Sequence, residues 1–73
     1  VKLISNPFHG NILEIITSEN CEYEIFNISG IKLYNGNLNI GLNQIRNIYL
    51  NSGTYLLKLN SKNSIVVKKI LKK

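Results

Sequence analysis

The sequence contains no aspartate, no methionine and no tryptophan, and only one histidine, one cysteine and one proline. The missing aspartate removes the usual calcium loops, the aspartate-based triads and most magnesium sites. A lone Cys21 cannot close an internal disulfide, and with His9 as the single histidine no zinc pattern can be assembled. Cys21 is therefore expected to be a small buried hydrophobe. No apolar run approaches the roughly eighteen residues of a membrane-spanning helix, and no basic, then apolar, then small-residue N-terminus reads as a signal peptide. The absence of methionine and the start at Val1 lead us to expect a piece of a longer chain.

What remains is one small domain of 73 residues. At this size only about 60% of the unfolded surface is buried on folding, so the core has little to spare. The formal net charge is +5. A basic balance can point to nucleic acid or an anionic surface, but here the charge is segregated. Glu14, Glu19, Glu22 and Glu24 lie in the first third, whereas Lys68, Lys69, Lys72 and Lys73 crowd the end. That asymmetry favours a sticky tail over a nucleic-acid groove, and no nucleic-acid partner is expected.

Turn signals recur at short intervals: Asn6-Pro7, Gly10-Asn11, Ser18 to Asn20, Ser29-Gly30, Asn35-Gly36, Gly41, Asn51-Ser52-Gly53 and Asn60 to Asn63. Between them lie short runs of Ile, Leu, Val and Tyr, the pattern of an all-β sandwich or barrel with six or seven strands. The expected strands cover 1–4, 12–17, 23–28, 31–34, 44–50, 54–60 and the chain end. Pro7 cannot donate to a ladder, so the Asn6-Pro7-Phe8 corner should deliver Phe8 as an aromatic plug. Asn35-Gly36 fits a two-residue hairpin turn or a bulge within one strand, 31–39, and both readings stand. Tyr55, Leu57 and Leu59 face inward by the period of two.

Few residues invite chemistry. His9 sits beside Gly10 in a turn, with no nucleophile nearby. Glu22 and Glu24 share a strand face, but a chain this small offers no cleft around such a carboxylate pair, so a solvated outer face is the expectation. Asn27-Ile28-Ser29 matches the glycosylation sequon, a pattern that arises by chance in asparagine-rich chains. Tyr34 and Tyr49 are the available surface aromatics for a sugar. No acid, base, nucleophile or metal constellation emerges, so neither an enzyme nor a cofactor is expected.

The end of the chain, Val66-Val67-Lys68-Lys69-Ile70-Leu71-Lys72-Lys73, can be read with two periods. As a helix it would gather the apolar pairs on one side, in the manner of a basic amphipathic segment on an anionic membrane. Its β-branched residues and short length favour a strand instead. A strand would place Val66, Lys68 and Ile70 on one face and Val67, Lys69 and Leu71 on the other, an edge blunted by lysines.

Taken in order, Asn6-Pro7-Phe8, Ile25-Phe26-Asn27 with Ser29-Gly30, Gly41 before a strand, Leu50 to Lys58 with Gly53-Thr54-Tyr55, and the lysine-rich end resemble one known family. It is the type A C-terminal sorting domain of the type IX (Por) secretion system, found on exported proteins of the Bacteroidota. The resemblance spans about residue 3 to 73. It implies an all-β fold, a small immunoglobulin-like antiparallel β-sandwich of about seven strands. It also implies that residues 1–73 form a single C-terminal sorting domain excised from a larger secreted protein. In that family the domain is an export address. Cargo passes through the periplasm, an outer-membrane translocon with its shuttle recognises the domain, and a sortase-type peptidase commonly cleaves near its start. The cargo is then released or anchored at the cell surface.

Carried over by position, Asn6, Pro7, Phe8, Gly30, Gly41, Gly53 and Tyr55 match the family's signature. Ser5 departs from the proline usual before Asn-Pro. Lys68, Lys69, Ile70, Leu71, Lys72 and Lys73 match the basic end and are the expected translocon-recognition residues. The competing expectation is a small carbohydrate- or surface-binding β-sandwich.

Overall fold

A computed structural model describes residues 2–3, 6 and 8–73; expectations placed on Val1, Ile4, Ser5 and Pro7 fall outside the described residues. Among the described residues seven strands follow in order: β1 (Lys2–Leu3), β2 (Leu13–Thr17), β3 (Cys21–Phe26), β4 (Lys32–Leu38), β5 (Gly41–Ile45), β6 (Gly53–Ser61) and β7 (Ile65–Lys72). They form two antiparallel sheets, β1-β2-β5 and β4-β3-β6-β7. This is an immunoglobulin-like sandwich in which the fourth strand pairs with the third rather than joining the sheet of the first.

Alternation dictates the core. In β2, Leu13 and Ile15 are fully buried and Thr17 nearly so, while Ile16 faces out. Cys21 and Ile25 in β3, Leu57 and Leu59 in β6 and Ile70 in β7 come from the other sheet, and Phe8 and Ile48 enter from the loops. Fully burying one such side chain contributes about 1.5–3 kcal/mol, so a core of this size depends on each member. Cys21 is buried and free, with its Sγ 3.9 Å from Thr17 Oγ1.

A tyrosine corner pins the sandwich. The Tyr55 hydroxyl donates to the Asn51 carbonyl at 2.8 Å, four residues back. A tyrosine near the start of the sixth strand that bonds backbone just upstream is a hallmark of this sandwich architecture. Gly53, at φ 154°, brings the chain into β6 in a backbone region that side-chain-bearing residues rarely adopt.

Several boundaries differ from expectation. The strand expected at 44–50 instead covers Gly41–Ile45, because Asn47 takes the left-handed conformation at φ 60° and breaks it. The chain beyond turns Ile48 into the core, where its N–H donates to the Asn11 carbonyl at 3.0 Å. β3 begins earlier and ends at Phe26, since the Asn27 side chain organises the following turn. Asn27 Oδ1 accepts from Ser29 N–H at 2.9 Å and from Ile31 N–H at 3.0 Å.

Asn35-Gly36 is no hairpin. Both residues lie within β4, with Gly36 opposite Tyr23, and the register shift falls at Ile25/Phe26 instead. A Cβ on Gly36 would meet the Tyr23 ring at 2.7 Å, so the glycine is the seat of that ring.

Candidate functional site: the terminal strand and its clasp

β7 is an edge strand whose register runs from Asn60 opposite Ile65 to Gly53 opposite Lys72. The strand reading of the chain end holds. The two ends of β7 are treated differently, and the difference comes from Asn6 and Phe8.

The Asn6 side-chain amide behaves as a detached peptide group laid along the edge. Its Nδ2 donates to the Lys69 carbonyl at 3.2 Å, and its Oδ1 accepts from the Leu71 N–H at 2.9 Å. Two residues later the main chain takes over. Phe8 N–H donates to the Leu71 carbonyl at 2.9 Å, and Lys73 N–H donates to the Phe8 carbonyl at 3.0 Å. Phe8 and Lys72 form a parallel bridge, and the Phe8 ring is fully buried beneath it. Lys72 Nζ lies 5.9 Å from the centre of that ring, within cation–π reach. Asn6 and Phe8 thus form a clasp over residues 69–73, and the first and last turns of the chain share one set of hydrogen bonds.

Of the six residues expected to be read by a partner, the structure moves one. Ile70 is fully buried between the sheets and is a core residue, so it is corrected from contact to anchor. Lys68, Lys69 and Lys73 are exposed, Leu71 is 42% exposed, and Lys72 is half-buried over Phe8. Lys68 shares the inward face of Val66 and Ile70 by alternation yet stays exposed, an inward-pointing charge on an edge. Lys69 stands on the outer face with Ile65, Val67 and Leu71. Among the described residues the one ion pair is Lys32–Glu24 at 3.3 Å, on the far side of the sheet.

The remaining signature residues divide between scaffold and clasp. Gly30 (φ 87°) closes the turn after β3, Gly41 (φ 105°) opens β5, and Gly53 with Tyr55 forms the corner. Asn6 and Phe8 form the clasp; Pro7 lies outside the described residues.

Elsewhere the surface offers little chemistry. Tyr34 and Tyr49 do meet, but through the Tyr49 backbone. The Tyr34 hydroxyl accepts from Tyr49 N–H at 3.0 Å, and Tyr34 packs against the core while Tyr49 stands exposed. They are not paired as a flat platform. The Glu22 and Glu24 face carries a shallow polar depression, lined also by Tyr23, Lys32, Asn35 and Asn37. Burial raises the Tyr23 pKa above the ordinary tyrosine value. Among the described residues no group of three metal-ligating side chains is found, and no helix is long and apolar enough to cross a membrane.

Sequence reasoning marked Asn6 and Phe8 but not what Asn6 does, since the partner of its amide lies more than sixty residues away. The sequence pattern places Ile48 in a strand, and only the break at Asn47 reveals its role in the core.

The model of a family described as the secretion system C-terminal sorting domain matches residues 4–73. No curated protein and no solved structure matched the chain. The match covers β2 to β7 together with Asn6 and Phe8 of the clasp, and the chain belongs to the family of type IX secretion-system C-terminal sorting domains.

Proposed function

We propose that this domain is a non-catalytic export address, read chiefly at its C-terminal strand. Attached to the end of a cargo protein, it carries that cargo from the periplasm through the outer-membrane translocon. A sortase-type peptidase then cuts upstream of the clasp, and the cargo is released or anchored at the surface. Lys68, Lys69, Leu71, Lys72 and Lys73 meet the machinery, while Ile70 holds the strand that presents them.

One observation carries this reading: the cationic strand is exposed on its side chains yet tied into the fold by Ile70 and the clasp. A free basic tail would present the same charge without a defined shape. A strand held by the β6 ladder, by Ile70 and by the clasp presents the lysines at fixed spacing, about 3.3 Å per residue.

The test is a fluorescent protein with a periplasmic signal at its N-terminus and this domain at its C-terminus, expressed in a host that exports such cargo. Surface or medium fluorescence is the expected result. Retention in the periplasm, while the host's own cargo is exported, rejects the proposal. Lys68→Gln with Lys69→Gln and Lys72→Gln with Lys73→Gln, each with its unfolding curve measured, separate recognition from folding.

A further inference from the structure

The clasp covers only half of the terminal edge. In an antiparallel strand both polar backbone groups of a residue point to the same side, and successive residues alternate. The Leu71 N–H and carbonyl both go to the clasp, away from β6, which assigns residues 65, 67, 69 and 71 to the outward side. The clasp takes the Lys69 carbonyl, both polar groups of Leu71 and the Lys73 N–H. The Ile65 and Val67 N–H and carbonyl groups and the Lys69 N–H have no hydrogen-bond partner among the described residues and form an open row along the edge.

Three further observations bear on what would cover that row. Ile65 is 62% and Val67 58% exposed, and both project from the outer face beside the open backbone. Lys68 and Lys69 stand exposed on opposite faces of the same stretch, with no acidic partner among the described residues. The chain's net charge of +5 opposes a second copy of the domain.

We propose that residues 65–69 form a docking edge for an extended, acidic segment of a protein partner, added to β7 as an antiparallel strand. Backbone bonds to Ile65, Val67 and Lys69 give affinity, as in other strand-addition interfaces. Apolar side chains opposite Ile65 and Val67 and carboxylates opposite Lys68 and Lys69 give selectivity. Asn6 ends the open row and fixes where the added strand stops. The lysines serve two ends, blunting the edge against self-pairing and favouring a partner of opposite charge. This deepens the export reading by naming the chemistry of the partner at the same strand.

The experiment measures binding of two labelled peptides to the 73-residue chain by fluorescence anisotropy. One carries the core Glu-Glu-Val-Thr-Val; the other replaces both glutamates with lysine. The acidic peptide is expected to bind at least tenfold more tightly, with a preference that shrinks in high salt. Val67→Pro removes an outward N–H and no bond to β6, so it should weaken binding at least tenfold at an unchanged unfolding midpoint. If that variant is destabilised, amide exchange in the unsubstituted chain decides, and Val67 must slow on saturation with peptide. Equal binding of the two peptides, unchanged Val67 exchange, or concentration-dependent self-association in place of peptide binding each overturns the proposal. Export of the unsubstituted fusion is scored separately: export intact without peptide binding rejects the docking edge alone, and peptide binding without export rejects the sorting role alone.

Discussion

Replacing Asn6 with alanine tests whether the two ends of the chain stabilise each other. The side chain makes two hydrogen bonds to β7, at 3.2 Å to the Lys69 carbonyl and 2.9 Å to the Leu71 N–H. Each is worth about 0.5–1.5 kcal/mol net, and exposed bonds fall at the low end because water replaces them. A loss of about 1–2 kcal/mol is expected, a shift of roughly five- to thirty-fold in an opening equilibrium. The loss should be local, since the bonds hold an edge rather than the core.

Native-state hydrogen exchange reads this directly. In Asn6→Ala the Leu71 and Lys73 amides should exchange faster by that factor, whereas the Leu57 amide, deep in the sheet, should report only the smaller global change. Asn6→Asp sharpens the test. Aspartate keeps the acceptor for Leu71 N–H, loses the donor to the Lys69 carbonyl, and sets a negative charge against that carbonyl. It should protect Leu71 better than alanine does without restoring stability. Unchanged Leu71 exchange in both variants refutes the clasp as an energetic unit.

Other substitutions probe other joints. Ile70→Ala should cost about 2–5 kcal/mol, as for a fully buried aliphatic side chain, enough in a domain this small to populate the unfolded state in a urea titration. Ile48→Ala should cost a similar amount although it lies in a loop, because Ile48 is equally buried. Tyr55→Phe keeps the ring and loses the bond to Asn51, and should lower stability by about 1 kcal/mol. Burial holds the Tyr23 hydroxyl neutral, so its pKa is higher folded than unfolded. The folded state then keeps its proton longer, and stability should fall as pH rises above about 10; Tyr23→Phe should flatten that part of the profile in thermal melts against pH.

The sandwich was legible because its cause is local. Alternating apolar residues in 13–17, 21–26 and 55–59 and the glycines at the turns dictate strands whatever surrounds them. The misread elements depend on distant partners or on single backbone choices. Nothing near Asn47 announces a left-handed conformation, so the apolar pattern alone extends the strand to Leu50. Asn35-Gly36 has the sequence of a hairpin turn, but the Tyr23 ring on the neighbouring strand fills the space above Gly36 and keeps β4 continuous. At the candidate site the lysines were visible as charge. The burial of Ile70 and the bond between Asn6 and Leu71 were not, since both require the far end of the chain to be in place.

That dependence changes how the terminal strand must be tested. Deleting 70–73 removes the lysines at 72 and 73, but also Ile70 from the core and the Lys73 N–H bond to Phe8. Loss of export after such a deletion would fit a broken fold as well as a lost recognition surface. Charge reversal without truncation separates the two. Lys68→Glu with Lys69→Glu leaves Ile70, the clasp and the β6 ladder in place and inverts the field along the open edge. Because exposed charges contribute little to stability, the unfolding midpoint should move by less than a ΔΔG of about 1 kcal/mol. Export should nevertheless fall sharply, and in the binding assay the basic peptide should replace the acidic one as the preferred ligand. If export falls only in variants that also unfold, the strand is read for its shape alone and the lysines merely guard its edge.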